Sequence, residues 1–220
     1  MLNTIFQILK KDLQSELRNR YVINSLLMFV VVTISILRFS LGDEKASSEI
    51  LSGLLWISIF FSAISGLARV FIKEEEKETS FALKLSAEPT QIFLGKLFFN
   101  LVLIFTLNIF IFLLFIAITG FEIKNIPGFI ITLVLGNIGM VASSTVIAGI
   151  IAKANSKGTL YPVLAFPVLL PLLLTVIDGT KLAATGDSTE ELINDFQILV
   201  SYSVVVITVS ILVFKYIWED

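Results

Sequence analysis

The sequence predicts an all-α integral membrane protein with six transmembrane helices, and three observations point to it. Of 220 residues, 56% are apolar and only 15% charged, against roughly 25% charged in a soluble domain. Mean hydropathy is +0.93. The apolar residues gather in six runs long enough to cross a hydrocarbon core about 30 Å thick at about 1.5 Å per residue. Six such helices in water would need a polar exterior that the short connections cannot supply. The chain therefore reads as one transmembrane domain over 1–220, with spans at 22–41, 50–68, 97–119, 129–152, 159–177 and 196–218.

Residues 1–20 set Ile5, Phe6, Leu9, Leu13 and Leu17 near helical spacing, with Lys10, Lys11, Asp12, Glu16 and Arg18 largely elsewhere. That pattern predicts an interfacial helix lying on the membrane and leading into the first span as an elbow; packing on a partner protein is the alternative. The first span has a charged lead and no small-residue cleavage site, so it is expected to be retained. Arg38 and Arg69 sit near span ends, where long side chains snorkel to the interface; substrate binding is the competing reading. Ser58, Ser62 and Gly66 recur every four residues in the second span, as do Ser144, Ala148 and Ala152 in the fourth, beside Gly139 and Ser143. Stripes of this kind let helices approach closely.

Segment 70–88, between the second and third spans, is amphipathic. Glu74, Glu75, Glu76 and Glu78 open it, and Phe81, Leu83 and Leu85 follow, as in a short helix whose acidic start suits its dipole. Pro89 breaks the chain and suits the first turn of a helix running directly into the third span. A helix pressed on the cytoplasmic face could dock in a motor protein and pass on its movement. A solvated acidic loop with an apolar underside resting on headgroups is the alternative, and composition alone favours it. In the fifth span Pro162, Pro167 and Pro171 each withhold a backbone donor, and the latter two are expected to kink or interrupt the helix, as a hinge, a path lining or a plain bend. The connection after it collects Asp178, Asp187, Glu190, Glu191 and Asp195 and reads as a solvated external segment.

Counted by side, twelve Lys and Arg fall with the termini, and four, Arg38, Lys45, Lys124 and Lys181, fall opposite. The positive-inside rule then puts both termini in the cytoplasm. The net charge of −2 leaves no basic footprint for nucleic acid. Zero Cys and zero His remove thiolate ligands, imidazole ligands and the commonest general base. No catalytic or metal site is expected, and a cofactor site is not identifiable. Gly95-Lys96 lacks the upstream glycine loop of a phosphate cradle. Span centres hold no charge, which argues against ion coupling; Asn100, Asn108, Asn137 and Gln197 read as interhelical hydrogen bonders. Any work done on a substrate would then draw on another subunit.

Several patches in order resemble the CcmB family, the haem exporter protein B. They are the Glu16-Leu17-Arg18 core, Gly53-Leu54-Leu55-Trp56, Ser62, 67–71 with Arg69, the acidic loop with Leu83, Leu85 and Pro89, Gly95-Lys96 with Asn100, and Phe166-Pro167 with Pro171-Leu172. The sequence departs from the family pattern at Phe166 and at Ser86-Ala87-Glu88. The resemblance implies a fold like that of ABC-2 type exporters and a non-catalytic, permease-like subunit in the bacterial cytoplasmic (inner) membrane. It also implies partners: a soluble ABC ATPase (CcmA-type), a haem-handling membrane subunit (CcmC-type), a small membrane subunit (CcmD-type) and a periplasmic haem chaperone (CcmE-type). ATP would lie in the partner and haem would be handled by the complex, this chain alone binding neither. On that reading Glu74, Glu75, Glu76, Glu78, Phe81, Leu83 and Leu85 couple to the ATPase, and Trp56, Arg69, Gly95, Lys96 and Asn100 are interface or structural residues. The alternatives are the permease of another ABC-2 exporter, for lipid, polysaccharide or drug, and a non-transporting membrane scaffold.

Overall fold

The computed structural model describes residues 1–18, 20–42, 46–153 and 160–219. Asp43, Glu44, Lys45, Lys157 and the expected span start at Thr159 lie outside them. Among the described residues there are nine α-helices and no strand: α1 (Leu2–Arg18), α2 (Arg20–Leu41), α3 (Ser48–Leu67), α4 (Ile72–Glu76), α5 (Ser80–Ser86), α6 (Pro89–Thr119), α7 (Ile126–Ala152), α8 (Leu160–Thr185) and α9 (Ile193–Glu219). Helices α2, α3, α6, α7, α8 and α9 are long and apolar enough to span a membrane, so this is a six-helix membrane protein.

Local chemistry sets the helix ends. Ser47 caps α3 by accepting from the Ile50 amide at 3.3 Å. Glu88 and Gln91 form a capping box ahead of Pro89, which starts α6 without needing a donor. Gly120 stops that helix in the left-handed conformation at φ 67°. Asn125 caps α7 by accepting from the Gly128 amide at 3.0 Å.

Helix α7 is the most enclosed span, packed chiefly on α8 and α9. Its small residues permit this. A Cβ on Gly136 would lie 2.6 Å from Val176 and 2.7 Å from the Trp56 ring, and one on Gly139 would lie 2.6 Å from Leu172. Close approach matters because apolar surface gains little by leaving lipid, so contact and hydrogen bonds hold the bundle. Trp56 Nε1 donates to Thr180 Oγ1 at 2.8 Å, Asn100 Nδ2 to Thr145 Oγ1 at 2.9 Å, and the Tyr202 hydroxyl to Val168 O at 2.9 Å. Asn100 thus bonds between helices as expected. Asn137 instead donates to Leu133 O of its own helix.

Three expectations need correction. Helix α8 is not interrupted at Pro167 or Pro171. Both prolines, and Pro162, stand on its exposed side, away from the buried stripe of Tyr161, Ala165, Leu169, Leu172 and Val176; Pro162 also lines a cavity with Leu26, Phe29 and Ile64. The acidic connection after the fifth span is mostly helix: α8 continues to Thr185 because Thr180 receives Trp56 and the Asn125 amide donates to Ala183 O at 2.9 Å. Asp178 is therefore helical and Asp195 is buried in the first turn of α9, while Glu190 and Glu191 remain exposed. Finally, segment 70–88 holds two short helices rather than one, because Glu78 takes φ 55° between α4 and α5.

Candidate functional site

The acidic run ends a helix and also stitches the next one to it. Thr79 donates through its amide to Glu74 O at 2.9 Å and through its hydroxyl to Glu74 Oε2 at 2.6 Å, and Ser80 Oγ donates to Glu75 Oε2 at 3.2 Å. These bonds close the turn that joins α4 to α5. Glu74 is 7% exposed and points inward.

What it meets there is Lys96, from the second turn of α6 and 1% exposed. Lys96 Nζ lies 2.7 Å from Glu74 Oε1 and 3.0 Å from Asp12 Oδ2 of α1. Lys11 Nζ lies 2.5 Å from the same Glu74 oxygen and 3.3 Å from Asp12 Oδ1. Burial draws the Lys11 pKa down, but Asp12 and Glu74 outweigh it and hold the group above its ordinary value. It is charged at neutral pH. One turn further along α1, Glu16 pairs with Lys73 of α4. Two cations of α1 and α6 thus face two carboxylates of α1 and α4, and a further pair closes the row.

A buried network of this kind adds little net stability over an apolar replacement, yet losing one member leaves a buried charge unpaired. Its effect is to fix where α1, α4 and α6 sit. Gly95 makes the approach possible. A Cβ there would lie 2.7 Å from Ile8 Cγ2 and 2.8 Å from Ile8 Cβ, neither of which can swing away. Gly95→Ala is accordingly expected to push α1 off α6 and to cost about 1–3 kcal/mol, as for other overpacked contacts. The measurement is the thermal midpoint in detergent, with Ile8→Ala restoring part of the loss.

Helix α4 is pinned on its other side by rings. Phe71, just ahead of it, lies 5.3 Å from Phe214 and 5.4 Å from Trp218 of α9, and Phe214 lies 5.2 Å from Phe93 of α6. Such centroid distances suit aromatic pairs. Lys153, at the end of α7, reaches Glu75 at 3.8 Å and stands 5.5 Å over the Trp218 ring. The short helix α4 is therefore held to α1, α6, α7 and α9 together.

Helix α5 presents the opposite character. Phe81 is 69% and Leu85 75% exposed, so an apolar edge faces outward. Leu83 is buried beneath it, and Glu76 and Glu78 are exposed. Of the residues expected to couple, Glu74 and Leu83 are thus turned inward, Glu75 is half-buried, and Glu76, Glu78, Phe81 and Leu85 are outward. Among the interface candidates, Trp56, Gly95, Lys96 and Asn100 all sit at helix contacts, whereas Arg69 is exposed beyond the end of α3 and its side chain makes no hydrogen bond or ion pair among the described residues.

Lys11, Asp12, Glu16 and Lys73 are members of the ion-pair row that the apolar pattern of the sequence does not single out. The buried stripe is Ile5, Ile8, Asp12 and Glu16, while Phe6 and Leu17 are exposed. The available signal was the i, i+4 pair of acids in register with Ile5 and Ile8, matching the lysines at 73 and 96.

With this geometry in view, comparison with known protein families shows that the model described as CcmB protein matches residues 3–216. No curated protein matches the chain.

Proposed function

The chain belongs to the CcmB family, and from that premise we propose that it receives work from an ABC ATPase docked on α5 and passes it through α4 to the spans. Family membership itself implies a membrane subunit of the haem-exporter ABC system of cytochrome c maturation, a transport family without known catalytic activity. The observation that carries the finer reading is the contrast between the two short helices. Helix α5 shows Phe81 and Leu85 to the outside, and α4, joined to it by the Glu74 and Glu75 bonds, grips α1, α6, α7 and α9.

A partner groove that takes up Phe81 and Leu85 would move α5 as it closes. Because α4 is tied to four other helices, displacement of α5 reaches several spans at once instead of bending a loop. The excess of Lys and Arg on the side of the termini supports a cytoplasmic placement of α1, α4 and α5 in a bacterial inner membrane. In this reading ATP is held by the partner, haem is handled by the other membrane subunits and the periplasmic chaperone, and the present chain contributes the moving scaffold.

The test is Phe81→Asp combined with Leu85→Asp, in the complex purified in mild detergent. Burial of each side chain is worth about 1.5–3 kcal/mol, so together they should weaken ATPase association by roughly 100-fold or more. The thermal midpoint of the chain should hardly change, because both residues are exposed. Full retention of the ATPase subunit by the double variant would overturn the docking site.

A further inference from the structure

A cavity of about 450 Å³ lies between α1, the end of α3, α4, α5 and the start of α6. Its charged wall includes the three carboxylates of the ion-pair row, Asp12, Glu16 and Glu74, and the lysines that answer them, Lys11, Lys73 and Lys96. Two further cations, Arg69 and Lys77, line the same cavity. Both are exposed, and neither side chain makes a hydrogen bond or ion pair among the described residues. The lining therefore holds five cations against three carboxylates. The deeper wall is apolar, with Val70, Leu83, Phe99 and Leu103. An occupant that matches both parts carries negative charge at one end and hydrocarbon at the other.

The level of the cavity narrows the choice. Helix α1, which forms one side, keeps Leu2, Phe6 and Leu17 exposed on the face away from its ion pairs. An amphipathic helix with such a face lies at the boundary of headgroups and acyl chains, so the cavity opens where lipid phosphates are found. We propose that this cavity binds an anionic phospholipid, with its phosphate on Arg69 and Lys77 and the upper part of a chain against Phe99 and Leu103. The site is independent of ATPase docking, since it uses the inner walls of α4 and α5 and not the outward edge of α5.

The chemistry sets three requirements. The headgroup must be anionic, because a zwitterion brings its own cation to a wall that already has two. It must be attached to hydrocarbon, because the apolar half otherwise stays unfilled. Both cations must contribute, because Coulomb attraction at a wet opening is modest for either alone.

The experiment uses the purified complex in detergent and reads the dissociation constant of added short-chain phosphatidylglycerol from the rise in thermal midpoint. Short-chain phosphatidylcholine and inorganic phosphate are the comparison probes, and native mass spectrometry counts retained lipid. Phosphatidylglycerol is expected to stabilise at concentrations at which the other two do nothing. Arg69→Gln with Lys77→Gln should weaken it about tenfold or more, while Lys215→Gln, an exposed cation on α9, should leave it unchanged. The midpoint without lipid verifies that the double variant is folded, which removal of two exposed unpaired cations should allow. Equal stabilisation by phosphatidylcholine would make the binding unspecific, equal stabilisation by inorganic phosphate would make it a soluble-anion site, and undiminished binding by the double variant would put it elsewhere. Any of these overturns the proposal.

Discussion

Replacing Lys96 by Met is expected to destabilise the protein by about 3–5 kcal/mol, the usual cost of removing one partner from a buried ion pair. Lys96 is almost wholly enclosed and serves Asp12 and Glu74 together. Met fills much of the same volume, so packing alone would cost little. The loss arises from two carboxylates left in a dry contact with only Lys11, itself half-exposed, to answer them. Thermal unfolding in detergent gives the magnitude, and amide exchange should show α1 opening before the spans do. Adding Asp12→Asn and Glu74→Gln to Lys96→Met should recover most of the stability, since the charges then leave together. Failure of that rescue would mean that the lysine matters for shape and not for charge.

Trp56→Ala carries the other large effect, about 3–5 kcal/mol by analogy with large-to-small core changes. Trp56 is fully buried, and its ring lies against Gly136 of α7 and its indole nitrogen against Thr180 of α8. In lipid the loss comes from vanished contacts and an orphaned threonine hydroxyl more than from water. Trp56→Phe separates the two parts. It keeps most of the ring contact and forfeits the hydrogen bond, with an expected cost near ~1 kcal/mol. Circular dichroism melting of both variants measures the difference.

The six spans were legible in the sequence because hydrocarbon demands a long apolar run whatever the neighbours are. Helix ends with their own chemistry were legible for a similar reason: Pro89 opens α6 and Gly120 closes it without help from elsewhere in the chain. Features decided by distant partners were not. The helical stretch after Ile177 looks like a polar loop until Trp56 and Asn125, from two other parts of the chain, supply its bonds. The acidic run looks solvated until Lys96 and Lys11 draw Glu74 inward. In α1 the apolar residues fall on both sides, Ile5 and Ile8 buried and Phe6 and Leu17 exposed, and Asp12 and Glu16 continue the buried stripe where an apolar pattern alone would not look. That Phe81 and Leu85 form an outward edge while Leu83 turns inward was not legible, because all three are large apolar residues following the same glutamates and only the packing of α5 separates them.

Helix α6 runs 31 residues from Pro89 to Thr119 without a break, about 46 Å at the usual rise. Its first turns carry Gly95 and Lys96, so under the proposed coupling it would act as a lever with its short arm in the ion-pair row. A tilt of about ten degrees applied there would carry the opposite tip through roughly 8 Å for a rod of this length. A small repacking around one lysine would then be geared up to a displacement of several ångströms at the other end of the rod.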